Sequence, residues 1–278
     1  MGRQITFQLV PALAVVVLIW GCGPKQSRPT KFDPEYTIYA DLLERHVDDE
    51  GYVDYRGLRA DSALLRQAVE NLKILSADSL AQWTSEEQLA LWINAYNLLA
   101  LRLVIEAYPI DSITAIGGVW FKHGFKVGGR YVTLHDIEQK ILRRDFAEPR
   151  FYFTIVPASK SGPVLCRQPY RAKSLRWQLQ DAAKRFLGDP ARNHFDPGER
   201  YAYLSAIFES AGRDFQRIYG SEIPNDQPEE VRAVFNFIAE VLPDSVGRFL
   251  RSEGVRWTYL PYDWSLNERS AAPALSPK

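Results

Sequence analysis

Two serines and one cysteine near the middle of the chain are the side chains that could act as nucleophiles. Ser159 and Ser161 lie in a short loop, and Cys166 follows it. A serine hydroxyl attacks a carbonyl only when a base removes its proton, and His135 is the candidate base. The spacing leaves a Ser-His pair and a Cys166 nucleophile open as alternatives. A lone cysteine after an apolar run is, however, more typical of a small buried side chain.

Glu138 is a further titratable candidate, on the helix that is predicted to begin after Thr133 as its cap. A carboxyl in a cleft can act as an acid or a base. A carboxyl that pairs with an arginine or an amide also has a shifted pKa, without any catalytic role. Both interpretations of Glu138 stay open.

Three polar residues share one stripe of a helix that is apolar on nearly every other side. The helix is predicted to begin with Ser85 as its cap and to end before Pro109. At about 100° per residue, Glu87, Asn94 and Asn97 fall on the same quarter of its surface. Buried amides need hydrogen-bond partners, so the stripe either satisfies neighbouring main chain or forms the polar floor of a binding cleft.

The chain has no pattern of ligands that is typical of a metal or a prosthetic group. His46, His123, His135 and His194 are scattered, and the folded part contains a single cysteine. We therefore expect no metal and no cofactor. The 34 basic residues balance 34 acidic ones, so the chain lacks the basic surface that nucleic-acid binding requires.

The N-terminus has the layout of a secretory signal over residues 1–21. Arg3 precedes an apolar run from Leu9 to Trp20. The string Ile19-Trp20-Gly21-Cys22 is similar to a bacterial lipobox, which predicts cleavage before Cys22 and a lipid on that residue. Residues 22–33 then hold the lipidated cysteine and a polar linker; an uncleaved anchor and N-myristoylation are the alternatives. We expect an exported, membrane-anchored lipoprotein, and Gly23 favours the outer membrane.

Hydrophobic spacing predicts one helix-rich α+β domain over 34–267, followed by a tail at 268–278. Paired glycines predict a hairpin over 125–132, and two apolar runs predict strands at 151–156 and 256–260. These pieces are expected to form a small antiparallel sheet. Further helices are predicted at 174–187, 201–219, 228–241 and 244–252.

Several strings along the chain carry a family resemblance. They are Tyr52-Val53-Asp54-Tyr55, Glu87-Gln88-Leu89-Ala90-Leu91-Trp92-Ile93-Asn94-Ala95-Tyr96-Asn97, Val127-Gly128-Gly129, Asp136-Ile137-Glu138 and Tyr262-Asp263-Trp264-Ser265-Leu266-Asn267. On these strings the chain resembles the domain of unknown function 547 family, which is largely bacterial, often exported or lipid-anchored, and without an assigned activity. The resemblance spans most of the mature chain.

The chain departs from the family pattern at the positions where reactive side chains are expected. Pro157 and Gly162 stand where the pattern has cysteines, and Tyr152 and Gln139 stand where it has histidines. A thiol nucleophile needs a thiolate and a neighbouring base. The resemblance therefore implies that thiol chemistry has been lost in this chain.

The resemblance and the replacements together predict a non-catalytic binding or assembly module on a hydrolase-like scaffold. Its topology is papain-like or transglutaminase-like by analogy. The expected partners are the membrane, through the lipid, and an envelope protein, peptide or glycan. The alternative is an envelope hydrolase or acyl-transfer enzyme that uses Ser161 or Cys166. A third hypothesis is a domain without a ligand that only holds neighbouring envelope proteins together.

Overall fold

The computed structural model describes residues 31–220 and 227–270 of the 278-residue chain. The predicted signal peptide, Cys22 and the part of the predicted tail after residue 270 lie outside the described residues. The α-helices of the described ranges are α1 Thr37–His46, α2 Tyr55–Ala60, α3 Ser62–Ile74, α4 Ala77–Ala81, α5 Ser85–Ala107, α6 Arg143–Asp145, α7 Leu175–Gly188, α8 Ile207–Tyr219, α9 Glu229–Val241 and α10 Asp244–Leu250. Three 3-10 segments, Ile113–Ala115, Pro149–Phe153 and Ala172–Ser174, and a π-helix, Asp136–Leu142, lie between them.

The strands of the described ranges form two small sheets, and together with the helices they confirm the predicted α+β class. They are β1 Phe125–Val127, β2 Arg130–Val132, β3 His194–Asp196, β4 Tyr201–Leu204 and β5 Arg256–Tyr259. β1 and β2 pair antiparallel across Gly128 and Gly129, whose φ angles of 54° and 77° suit residues without a Cβ atom. The predicted hairpin is therefore confirmed.

The predicted strand at 151–156 is wrong, because this segment begins in a 3-10 helix. Pro149 occupies the first turn, and the Glu148 side chain accepts a hydrogen bond from the Arg150 amide. The Thr154 hydroxyl then donates to the Phe151 carbonyl, which closes the turn. A short run of buried apolar residues fits a strand and a buried turn equally well, and here local capping decides for the turn.

The predicted composition of the sheet is also wrong. The closing strand β5 forms at 256–259 but pairs parallel with β4, and the 125–132 hairpin stays separate. The first residues of the predicted helix at 201–219 form β4, which pairs antiparallel with β3. The helix α8 begins later because the Asn193 side chain accepts a hydrogen bond from the Ser205 amide and holds the chain in a turn.

Helix α5 forms the centre of the core, as its nearly uniform apolar surface predicts. Leu91, Ile93, Leu98, Leu99 and Val104 are each fully buried. Within the described residues, α5 is the one helix whose length and composition would suit a membrane span, and 89% of its most apolar window is buried in the protein. It packs chiefly against α3 and the π-helix.

A second part of the core is built almost entirely from aromatic rings. Phe153 stacks on Phe237 with ring centroids 5.6 Å apart, and lies 5.0 Å from Phe186. Phe208 and Phe215 complete the cluster. Because these rings come from the 3-10 segment and from α7, α8 and α9, the cluster fixes the 151–156 segment against three helices.

Candidate functional site

A cavity of about 440 Å³ lies between the π-helix, the 3-10 segment with the loop after it, α8 and the C-terminal segment. Its lining residues share a largely apolar and aromatic character. They are Tyr96, Trp120, Phe121, His135, Glu138, Gln139, Tyr152, Ile155, Pro157, Pro163, Ala206, Ile207, Ser210, Tyr262 and Trp264. A concave apolar site with a few converging polar groups is the usual form of a ligand pocket.

The π-helix presents Glu138 and Gln139 to the cavity. It is preceded by a reciprocal cap, in which the Thr133 hydroxyl accepts from the Asp136 amide and the Asp136 carboxylate accepts from the Thr133 amide. Hydrogen bonds from Lys140 and Thr133 lower the pKa of Asp136 to about 2, so this cap is charged across the neutral range. π-Helical turns such as the one at Asp136–Leu142 are frequent at functional sites.

Glu138 is a partly buried carboxyl on the cavity wall. Burial raises its pKa, while hydrogen bonds from Gln139 and Tyr96 and the charge of Arg143 act in the opposite direction. Gln139 Nε2 donates to Glu138 Oε1 over 2.8 Å. The Tyr96 hydroxyl is fully buried, and its burial next to Glu138 raises the pKa of Tyr96 well above the usual value.

A hydrogen-bonded chain continues from Gln139 into the protein. Arg143 Nη1 donates to Gln139 Oε1 over 2.9 Å, and Arg143 Nε lies 2.7 Å from Asp214 Oδ2. The Tyr152 hydroxyl donates to the same carboxylate oxygen over 2.7 Å. Arg143 is thus held by Asp214 and Gln139, and its charge acts on Glu138 without a direct contact between the two side chains.

Aromatic side chains form the opposite wall and the outer edge of the cavity. Tyr262 packs on Trp264 with centroids 4.3 Å apart, and Trp264 lies 6.0 Å from Trp120. Phe121 lies 4.6 Å from the His135 ring. Phe121 is 63% exposed and Trp264 is 39% exposed, which is a high exposure for rings of this size.

The loop at 157–163 is fixed by main-chain hydrogen bonds to the C-terminal segment. The amides of Lys160 and Ser161 donate to the carbonyls of Ser265 and Asp263. On the other side, the buried Arg192 guanidinium donates to the carbonyls of Gly162 and Lys160 over 2.8 and 2.9 Å. The loop is therefore a rigid part of the cavity wall.

Three of the four residues that the family resemblance marks as expected replacements line this cavity. Gln139, Tyr152 and Pro157 all line it, although they come from separate elements. Gly162 lies beside it in the loop, where an added Cβ would approach the Ser159 hydroxyl to 2.9 Å.

Part of the chain matches a known protein family. Residues 80–187 match the family described as "Protein of unknown function, DUF547". No curated protein and no solved structure matches the chain. The DUF547 segment contains α5, the hairpin, the π-helix and the 157–163 loop, and hence Glu138 and its neighbours. Tyr262, Trp264 and the α8 residues complete the cavity from outside the segment.

Ser159 and Ser161, the candidate nucleophiles within the DUF547 segment, form hydrogen bonds with groups other than His135. Ser159 is fully buried, and its hydroxyl lies 2.7 Å from the Tyr262 hydroxyl. The Ser161 hydroxyl accepts from the Asp263 amide over 2.8 Å. Across residues 31–220 and 227–270, no hydrogen bond joins a serine or cysteine to a histidine ring, so the candidate nucleophiles form no Ser-His or Cys-His pair there.

Cys166 lies in a separate cavity of the DUF547 segment. That cavity is lined by Trp177, Asp181 and Arg185 of α7, and no histidine contributes to it. The thiol is partly buried and unbridged, and its side chain packs against the hydrophobic core. The sequence predicts a small buried side chain here, and the structure places Cys166 partly buried, between the core and this cavity.

Asn94 and Asn97 hold neighbouring main chain, which is the structural alternative for the polar stripe. Asn94 accepts from the Tyr170 amide and donates to the Tyr170 carbonyl, both over 2.8 Å. Asn97 donates to the Thr154 carbonyl and accepts from the Val156 amide. Neither residue lines the cavity around Glu138. Asn97 nevertheless helps to shape that cavity, because its hydrogen bonds to Thr154 and Val156 fix the segment that leads to Pro157.

Glu87 lies at the exposed start of α5, away from the two asparagines. Thr84, and not the predicted Ser85, is the cap: its hydroxyl accepts from the Glu87 amide, and the Glu87 carboxylate accepts from the Thr84 amide. The side chain of Glu87 also borders a shallow surface cavity with Trp83 and Arg171. Its local role is therefore the capping box.

The capping box gives a direct test of this assignment. We expect Thr84→Ala to lower the free energy of unfolding by about 1 kcal/mol, because the Glu87 amide at the start of α5 loses its acceptor, the Thr84 hydroxyl. Urea denaturation measures the change. The matched control is Ser85→Ala, which removes the neighbouring hydroxyl and is expected to leave stability unchanged; a larger loss in the control would contradict the assignment.

The described residues offer no metal site. In the described ranges, no group of three or more His, Cys, Asp or Glu side chains is arranged to hold a metal ion. The expectations that the protein needs no metal and no cofactor stay predictions.

Proposed function

We propose that the protein is a lipid-anchored envelope protein whose cavity around Glu138 binds a ligand without covalent chemistry. The convergence of Gln139, Tyr152 and Pro157 on one cavity carries this proposal. These are positions where the family resemblance leads us to expect reactive side chains, and the residues present offer hydrogen bonds and surface in place of a nucleophile and a base. The cavity is thus retained while its chemistry differs.

The arrangement of the candidate nucleophiles favours binding over the hydrolase or acyl-transfer alternative. Ser159 and Ser161 pair with Tyr262 and the Asp263 amide, and Cys166 lies in another cavity. A serine without a placed base is a weak nucleophile. The hydrolase-like origin of the scaffold and its papain-like or transglutaminase-like topology stay predictions.

A serine-directed fluorophosphonate tests the non-catalytic part of the proposal. We expect intact-mass measurement of the folded protein to show no adduct on Ser159 or Ser161, because neither hydroxyl is activated. Cys166 is expected to react with iodoacetamide no faster than the thiol of the unfolded protein. An adduct on Ser161 that His135→Ala abolishes would instead establish the enzymatic alternative.

The anchor is tested on protein purified from native membranes. We expect the intact mass to show Cys22 as an acylated N-terminal residue, and we expect Cys22→Ala to lose the acyl group and to keep residues 1–21, because cleavage before residue 22 depends on the cysteine. A native mass that begins at Met1 and carries no acyl group would contradict the lipid anchor. Fractionation of inner and outer membranes then tests the favoured location.

A further inference from the structure

The cavity around Glu138 combines one carboxyl with a wall that lacks lysine and arginine; the one basic side chain among the described residues that line it is His135, whose ring lies against Phe121. Among its lining residues in the described chain, Glu138 is the single carboxyl and none is lysine or arginine. Arg143 is the guanidinium that reaches toward it, but its bonds go to Gln139 and Asp214. The carboxylate therefore faces the cavity without a cation in direct contact.

Aromatic residues form a large part of the remaining wall. Six lining residues have six-membered aromatic rings: Tyr96, Trp120, Phe121, Tyr152, Tyr262 and Trp264. The face of such a ring carries partial negative charge and attracts a cation placed within about 6 Å of its centroid. Rings and carboxylate thus give the cavity the same electrostatic sign.

We propose that this cavity recognises an alkylated ammonium group, with the nitrogen near Glu138 and its alkyl groups against the rings. Alkyl substituents suit the apolar wall and lower the cost of leaving water, while the positive charge meets the carboxylate and the ring faces. The inference rests on the proposed function, because it names the class of ligand for the same site.

Two other ligand classes fit the wall less well. An anion would meet Glu138 and the ring faces with no lysine or arginine to offset the repulsion. A neutral polyol needs many hydrogen-bonding partners, yet Gln139 is already bonded to Glu138 and Arg143. The hydroxyls of such a ligand would therefore be buried without partners.

The buried environment of the Glu138 carboxyl favours the binding of a cation. Burial raises the pKa of this carboxyl, and the charge of Arg143 offsets that effect only in part. A bound ammonium would add a positive charge next to the carboxyl and favour its ionised form. Phe121 and Trp264 are exposed as well as lining the cavity, so they lie where it meets solvent.

Calorimetric titration of the mature protein in detergent with a matched pair of probes tests the inference. Choline and 3,3-dimethyl-1-butanol share one shape, but only choline is charged. We expect choline to bind at least about tenfold more tightly. Glycerophosphocholine forms a second arm: tighter binding than choline indicates a lipid headgroup as the source, and weaker binding indicates a free ammonium compound.

Two variants locate the effect in this cavity. Glu138→Gln keeps the shape of the side chain and is expected to reduce the preference for choline by about tenfold. Trp264→Leu leaves the carboxylate in place and is expected to weaken choline binding as well. Trp177→Leu, which removes an exposed tryptophan elsewhere, is the control and is expected to bind choline as the wild type does. Melting temperatures confirm that the variants are folded.

The possible failures are distinguishable. Equal affinity for both probes, or a choline preference that survives in Glu138→Gln, overturns the inference about the ammonium group. If a neutral fragment then binds and Trp264→Leu weakens it, the proposed binding function stands. If no probe or fragment of any class binds, both proposals fail.

Discussion

Asn97→Ala is expected to lower the free energy of unfolding by about 2–4 kcal/mol. The Asn97 amide donates to the Thr154 carbonyl over 2.8 Å and accepts from the Val156 amide over 2.7 Å. All of these groups lie in the interior. Alanine would leave a buried carbonyl and a buried amide without partners, and each such group costs about 1–3 kcal/mol. Denaturation with urea measures the loss.

A control on the same helix separates this effect from a general loss of side-chain contacts. Glu106→Ala removes an exposed ion pair with Arg102, which is worth about 1 kcal/mol or less. If Asn97→Ala costs no more than Glu106→Ala, the buried hydrogen bonds of Asn97 contribute little to stability. The polar stripe of α5 would then be open again to a role in binding.

Arg192→Ala is expected to destabilise the protein by about 2–4 kcal/mol and to loosen the 157–163 loop. The Arg192 guanidinium donates to the carbonyls of Gly162 and Lys160, pairs with Asp189 and lies over the Phe186 ring. Its side chain is 7% exposed. Removal would leave two carbonyls of the cavity wall without donors.

Hydrogen exchange at the loop reports this effect locally. We expect the amides of Lys160, Ser161 and Gly162 to exchange faster in Arg192→Ala than in the wild type, because the loop opens more often. The matched control is Arg176→Ala, since Arg176 is an exposed arginine of α7. Unchanged exchange in Arg192→Ala would show that the hydrogen bonds to the C-terminal segment hold the loop without the guanidinium.

The sequence correctly predicts the elements whose structure depends on interactions within one helix or one turn. The Gly128-Gly129 pair fixes its hairpin through positive φ angles, and the nearly uniform apolar surface of α5 predicts its burial. The helices at 174–187, 228–241 and 244–252 follow from amphipathic spacing and agree with α7, α9 and α10. In each case the deciding interactions lie within one element or one turn.

The elements that sequence reasoning missed depend on distant partners. The strand β4 pairs with β3 on one side and with β5, about fifty residues later, on the other; its own Tyr-Ala-Tyr-Leu string also suits a helix. The 151–156 run has no periodicity that separates a strand from a buried turn. Long-range pairing and capping by Glu148 decide these segments.

The candidate site was predicted in part. The family resemblance pointed to Gln139, Tyr152 and Pro157, and Glu138 was a candidate from its chemistry, but nothing in the spacing joined them in one cavity. Trp120 and Phe121 were missed altogether, and Tyr262 and Trp264 entered only through landmark strings. The dense aromatic strings 119–121 and 262–264 are the signal that could have found them.

The polar stripe illustrates the limit of periodicity. Helical geometry correctly placed Asn94 and Asn97 among buried residues of one helix, but it could not name their partners. Those partners are main-chain groups of Tyr170, Thr154 and Val156. They lie more than fifty residues away along the chain, so helical periodicity carries no information about them. Glu87 shared the predicted stripe, yet its position in the first turn determined a capping role instead.

Blocking the cavity while measuring ligand-induced stabilisation tests the central claim most directly. Ser210 is exposed on α8 and lines the cavity, so Ser210→Trp places a large side chain at its edge. Glu209→Trp, one residue earlier and also exposed, is the matched control. Melting temperatures are recorded with peptide, glycan and organic-cation fragments of the envelope.

We predict that at least one fragment class raises the melting temperature of the wild type and of Glu209→Trp, because a ligand that binds the folded state stabilises it by mass action. Ser210→Trp is predicted to show no such rise. Equal stabilisation of Ser210→Trp, or no stabilisation of the wild type by any class, would contradict the account of this cavity as a binding site.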